Sequence, residues 1–259
     1  MQMRLLPLVL MGACAGASLV DSGGVDSDPT NPNSFTNTPD TDSDTDTTAT
    51  DDPCVATEGL AGAALSAVIT DWVSAQDCNS YVEATTFMFT ELDKVNNEVE
   101  CVYTGRKTAV FNTKPDATDM NTEHSWPQSL GADAEPAKCD VHHLYPTDAN
   151  ANSRRGSYPF GMVTGSVDWQ EGGSKLGSGA GGTVFEPRDV HKGNVARSMI
   201  YFAHRYGFPI DAAQMAIYKQ WHLTDPVDDA EVVRSLAIGA EQVLPNPFVL
   251  CADLVGRVD

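Results

Sequence analysis

The 259-residue sequence predicts an α+β fold, a single, mostly helical domain around a small β-rich centre. Two observations carry this. Apolar residues recur at helical intervals in 60–73, 81–92, 190–206, 211–222 and 228–243. Two short β-compatible stretches, 121–126 and 140–145, flank a loop holding Gly131 and Pro136, which reads as a pair of strands.

The remaining elements follow in order. Residues 99–103 are short and β-prone. Thr147 and Asp148 are placed to cap a helix running through Asn152. Residues 164–182 are rich in Gly and Ser and read as a loop. No internal repeat is visible.

The chain begins with a short basic segment ending at Arg4, then an apolar run over 5–13 and several small residues. That run is too short to span a bilayer and reads as a signal peptide over 1–20. No other stretch reads as a transmembrane span. Met11-Gly12-Ala13-Cys14 resembles a lipobox that would place a lipid anchor on Cys14, while Ala13-Cys14-Ala15 equally fits ordinary secretion. Residues 21–53 hold nine Asp, no Lys or Arg and almost no large apolar group, so they read as a disordered linker. The folded domain is expected over 54–259. The expected location is extracytoplasmic: secreted, periplasmic or anchored at the cell surface. A monomer is expected.

The whole chain carries −20 at neutral pH, and 54–259 carries 15 bases against 27 acids. Taken alone, that acidity argues against a nucleic-acid partner. Residues 138–205 differ, with eight bases against six acids. Cys54, Cys78, Cys101, Cys139 and Cys251 suggest disulfides with one thiol left over. A bridge within the Cys54, Cys78 and Cys101 group is expected, with Cys139 the odd one.

The chemistry gathers in one window. Glu123-His124-Ser125-Trp126-Pro127 is followed by Asp140-Val141-His142-His143-Leu144-Tyr145-Pro146 and by Asn152-Ser153-Arg154-Arg155-Gly156. Three of the six histidines lie here. Glu123 and the amide oxygen of Asn152 are hard ligands suited to a divalent metal ion. On a strand, His124 faces away from Glu123, so the carboxylate can hold metal while a neutral imidazole meets water. Arg154 or Arg155 could grip a phosphate through paired hydrogen bonds. Cys139, His142 and His143 raise a competing zinc reading, although adjacent histidines on a strand reach one tetrahedral ion with difficulty.

The order E-H-x-W-P-Q-S, then K-x-D-x-H-H-L-x-P-T-D-A-x-x-N-S-x-R-G, then Pro159-Phe160-Gly161 resembles the bacterial endonuclease I family. The similarity runs over about 99–257, through Phe185 to Asp189, Lys192 to Arg197 and Asn246 to Val249. The resemblance implies an exported nonspecific nuclease with a ββα-metal (His-Me finger) core. It implies His124 as general base, Glu123 and Asn152 as ligands of Mg²⁺ (with Mn²⁺ or Ca²⁺ as substitutes), and Arg155 near the scissile phosphate. DNA and also RNA are the implied substrates, with 5′-phosphate products. Asp140 and His142 would support the site. Some relatives carry an arginine in a long loop between the two strands; here 128–138 is short and offers Lys138. A catalytically silent extracellular binding module on the same fold is the alternative reading.

Overall fold

The computed structural model describes residues 53–259. The expected signal peptide, Cys14 and the linker through residue 52 lie outside the described residues. Among the described residues, no helix is long and apolar enough to cross a membrane.

Helix α1 (Gly62–Ser74) buries Leu65, Ile69 and Val73, one side chain per turn on a single face. Helix α2 (Tyr81–Phe87) starts at Ser80, whose hydroxyl oxygen accepts from the Glu83 backbone N–H and donates to its carboxylate. That reciprocal cap fixes where the helix begins. It continues as a π-helical turn, Met88–Leu92. Strands β1 (Lys94–Val95), β2 (Glu98–Glu100) and β3 (Lys107–Ala109) form a small antiparallel sheet.

The centre is a two-stranded antiparallel ribbon of β4 (Met120–His124) and β5 (Leu144–Asp148), followed at once by helix α3 (Ala149–Arg155). Thr122 pairs with Pro146, Glu123 with Tyr145 and His124 with Leu144. The strands lie a little away from 121–126 and 140–145. Residues Val141–His143 form a 3₁₀ turn instead, because the Asp140 side chain accepts from the His142 N–H and holds the chain in a cap. The Asp148 carboxylate accepts from the N–H groups of Asn150 and Ala151 and sets the start of α3.

The glycine-rich segment is not a loop. It folds into three antiparallel strands, β6 (Val163–Glu171), β7 (Ser174–Gly179) and β8 (Gly182–Glu186). Its glycines serve the sheet. Gly172 and Gly173 turn the first hairpin at φ +58° and +99°, the left-handed pair that a tight hairpin turn requires. A Cβ on Gly177 would stand 2.2 Å from the Ser166 carbonyl oxygen, so that position admits no side chain. The sheet delivers Phe185 into the core, against Tyr103 at 4.7 Å between ring centres.

Helix α4 (Lys192–Tyr206) is buried along most of its length and packs against α1, α5 (Ala212–Thr224) and α7 (Pro247–Leu250). Helices α6 (Asp229–Gln242) and α8 (Leu254–Arg257) complete the domain. Mixed helices and small antiparallel sheets make this an α+β fold, as expected.

The disulfides differ from expectation. Cys54 joins Cys251 and Cys78 joins Cys139, while Cys101 is the buried free thiol. Cysteine order says nothing about which chain segments the fold brings within bonding range. The Cys78–Cys139 bridge closes a 61-residue separation and is worth about 4 kcal/mol by loop-closure entropy. It ties the α1–α2 connection to the loop that carries Lys138.

Candidate active site

Strand alternation separates Glu123 from its neighbour. Glu123 is 2% exposed. Its Oε1 accepts a hydrogen bond from the Tyr103 hydroxyl at 2.8 Å and lies 2.9 Å from Arg155 Nε. The Arg155 contact is a charge contact; Nε does not point along the hydrogen-bond direction. Burial pushes the carboxyl up to about 7, against the pull of Arg155 and the Tyr103 hydrogen bond.

The structure places Arg155 differently from a phosphate-gripping arginine. Its side chain is buried to 1% exposure, and NH1 and NH2 donate to the carbonyls of Gly156 and Ser125. The guanidinium also lies 4.3 Å over the Phe160 ring. Every nitrogen has a protein neighbour, so this arginine braces Glu123 rather than reaching outward.

His124 meets a different set of groups. Its Nε2 lies 3.2 Å from the Lys138 carbonyl oxygen. A carbonyl only accepts, so we assign the proton to Nε2 and the lone pair to Nδ1. The Gln128 amide nitrogen lies against the ring edge, 3.1 Å from Nε2 and 3.3 Å from Nδ1. Tyr81 and His143 flank the ring, each at 5.4 Å between centres. Burial, aided by the Lys138 charge and opposed by its carbonyl, lowers the imidazole to about 4. His124 is therefore neutral across the ordinary pH range.

Asn152, on α3, donates from Nδ2 to Asn121 Oδ1 at 2.7 Å and to the Thr122 carbonyl at 3.0 Å. With the amide nitrogen fastened to β4, the amide oxygen is the end left for other work. The donor chemistry therefore fits a hard divalent ion: a carboxylate on β4 and an amide oxygen fixed by α3. Among the described residues, no cluster of three His, Cys, Asp or Glu side chains could hold a metal. A site with few protein ligands is what Glu123 and Asn152 would make.

The neighbouring histidines are structural. His142 and His143 are buried, with Nε2 atoms 2.8 Å from the Leu244 carbonyl and 2.7 Å from the Ala137 carbonyl. Cys139 is spent in a disulfide. The zinc reading falls on both counts. Asp140 is held inside the fold, where its Oδ2 accepts from the Tyr201 and Tyr206 hydroxyls.

The basic segment 138–205 also changes meaning. Arg155, Lys175, Arg188, Lys192 and Arg197 pair with acids, and Arg205 donates to the Gln76 carbonyl. Of its eight bases, only Lys138 and Arg154 have no acidic or carbonyl partner for their charged groups among the described residues. Lys138 lies beside His124 and over the Tyr81 ring at 5.0 Å. Arg154 is exposed, two residues beyond Asn152.

Among the described residues, a cavity of about 630 Å³ is lined by Tyr145, Arg188, His191 and Arg234 and includes none of Glu123, His124 and Asn152. Tyr103, Tyr81 and Gln128 are the site neighbours that local sequence reasoning does not identify. Gln128 alone left a signal, within the E-H-x-W-P-Q-S run.

The endonuclease I family model matches residues 65–252. The chain belongs to the endonuclease I family. It is 31% identical to the extracellular ribonuclease of Bacillus amyloliquefaciens over 218 residues, covering 74% of this chain and 72% of that protein. It is 30% identical to the extracellular ribonuclease of Bacillus subtilis (strain 168) over a similar span. An extracellular deoxyribonuclease of Aeromonas hydrophila is 28% identical over 116 residues, 42% of this chain and 48% of that protein. As an endonuclease I family member the protein is an endonuclease acting on nucleic acid, and the reading as a silent binding module is set aside. Endonuclease I enzymes are generally metal dependent.

Proposed function

We propose that this endonuclease is a Mg²⁺-dependent, nonspecific phosphodiester hydrolase in which His124 activates water while Glu123 and Asn152 hold the ion. The observation that carries this reading is the Lys138 carbonyl at His124 Nε2, which leaves Nδ1 as a neutral base beside the Glu123 strand position. A divalent ion held there would neutralise charge on the phosphate and on the departing oxygen.

The protein's own residues do the rest. His124 Nδ1 takes the proton from water as its oxygen bonds to phosphorus. The bond from phosphorus to the 3′ oxygen breaks, and that oxygen takes a proton from solvent. The products are a 5′-phosphate and a 3′-hydroxyl. Arg155 and Tyr103 hold the Glu123 carboxylate in place, so Arg155 acts as a positioning residue. Lys138 and Arg154 are the cations left to meet phosphates on either side of the site. Such backbone contacts carry little sequence information, which suits a nonspecific enzyme.

DNA and RNA are both proposed substrates, since the named relatives include ribonucleases and deoxyribonucleases. We place the protein outside the cytoplasm, freely secreted or held through Cys14, and active as a monomer. Incubation of plasmid and structured RNA with protein in Mg²⁺, in EDTA and as His124→Ala tests the assignment. Intact nucleic acid with wild type in Mg²⁺, or equal cleavage in EDTA, would refute it. Palmitate incorporation lost in Cys14→Ser identifies the anchored form; no label identifies the secreted one.

A further inference from the structure

A second cavity adjoins the site through a three-residue turn. Gln128–Leu130 is a 3₁₀ turn. At one end Gln128 touches the His124 ring; at the other Leu130 lines a cavity of about 190 Å³. Between them the Ser129 hydroxyl bonds the Ser157 hydroxyl at 2.7 Å, joining this turn to the segment that follows α3. Arg155, which braces Glu123, lines the same cavity.

The lining is aromatic and apolar, with acceptors added. Trp126, Leu130 and Tyr158 line it, and Leu130 and Tyr158 remain 54% and 44% exposed. Trp126 is 9% exposed and stacked on Phe202, so Tyr158 supplies the open aromatic face. The space equals roughly six waters at the ~30 Å³ each takes in the liquid, the scale of one planar base. Gln214 also lines it, with its amide nitrogen committed to the Phe160 carbonyl at 2.9 Å. Asp211 caps α5 through Oδ1 alone. The atoms these two side chains leave uncommitted among the described residues are an amide oxygen and a carboxylate oxygen. Both accept hydrogen bonds.

We infer that this cavity seats a nucleobase of the strand being cut, next to the scissile phosphate, and gives a local preference at that one nucleotide for a base whose edge donates, without selecting a defined sequence. The inference rests on the nuclease reading above. Guanine presents two adjacent donors on its pairing edge, whereas thymine and uracil present one donor between two acceptors. Stacking on aromatic side chains supplies attraction to any base, and hydrogen bonding on the pairing edge ranks them. A base can enter only when unstacked and unpaired, so the pocket makes single-stranded nucleic acid the preferred substrate.

The test uses the full protein in Mg²⁺ with single-stranded 12-mers of thymine carrying one guanine, one thymine or one abasic residue at a central position. Cleavage beside that position is read as kcat/KM. Guanine is expected to exceed the abasic residue by about tenfold or more, the scale of one stacked base, with thymine between. In Tyr158→Ala, an exposed position whose loss leaves the core intact, the ratio of guanine to abasic is expected to shrink toward one. Equal rates at guanine and thymine, or at guanine and the abasic residue, overturn the pocket and leave the nuclease standing. A protein that cuts none of the strands, nor plasmid, overturns the nuclease reading and the pocket with it.

Discussion

On one side of β4, Glu123 is closed in by a buried guanidinium and a buried phenol; on the other, His124 faces Tyr81, His143, a backbone carbonyl and a side-chain amide. Burial acts on both and drives each toward its neutral form, the carboxyl up to about 7 and the imidazole down to about 4. The consequences are opposite. Neutral histidine is the working form of a base, so burial prepares His124. A protonated carboxyl is a poor metal ligand, so Glu123 needs Arg155 and a bound cation to offset its burial. One strand thus carries a group ready by itself and a group completed by its partners.

The largest effect should come from breaking the ready side. His124→Ala is expected to lower kcat by about 10²–10⁴-fold, the range for a general base, while circular dichroism and thermal unfolding stay near wild type. A loss under tenfold would move the base elsewhere.

Breaking the completed side should cost activity through the metal. Glu123→Gln is expected to abolish calorimetric Mg²⁺ binding and, because the fold already favours the neutral carboxyl, to leave metal-free stability at pH 7.5 near or above that of wild type. Asn152→Ala should lose metal affinity as well. If Glu123→Gln binds Mg²⁺ as wild type does, the carboxylate is not a ligand.

Next is the bridge behind His124. Replacing Cys78 and Cys139 by Ser together should cost about 4 kcal/mol and also lower kcat, because the Lys138 carbonyl that fixes the His124 tautomer sits beside Cys139. A stability loss with unchanged kcat would separate the bridge from the chemistry.

The smallest effects are electrostatic. Lys138→Ala and Arg154→Ala should each raise KM and reduce the slope of log affinity against log salt by about one contact. For pH, the Glu123 carboxyl is raised from 4.5 to about 7 in the folded protein. Between those values the fold keeps a proton that the unfolded chain has released. Metal-free stability from this group therefore falls as pH rises from about 4.5 to about 7. Mg²⁺ affinity should climb through the same upper limit. Unfolding of wild type and Glu123→Gln in EDTA at pH 5 and 7.5 reads the first; titration calorimetry reads the second.

Legibility varied by the range over which each signal acts. The helices around 62–74, 192–206 and 212–224 were visible because burial of one face imposes a 3.6-residue period on neighbouring side chains. The sheet at Val163–Glu186 was not, since glycine serves tight hairpins and close strand approach as readily as it serves loops. The candidate site was readable as a residue set, because Glu123, His124 and Asn152 stand in a recognisable order. Arg155 was recognised but its role was not: exposure and partners decide whether an arginine grips a ligand or braces a neighbour.

By itself, then, the sequence determined the α+β class, the endonuclease I resemblance and the position of Glu123 and His124 on opposite faces of an extended strand, all consequences of local pattern and alternation. Tertiary structure alone decided the Cys78–Cys139 and Cys54–Cys251 pairs, the carbonyl set against His124 Nε2, the burial of Arg155 and the cavity beside Gln128–Leu130. Each of these depends on groups far apart in the chain meeting at a few ångströms. Spacing along a sequence carries no record of that meeting.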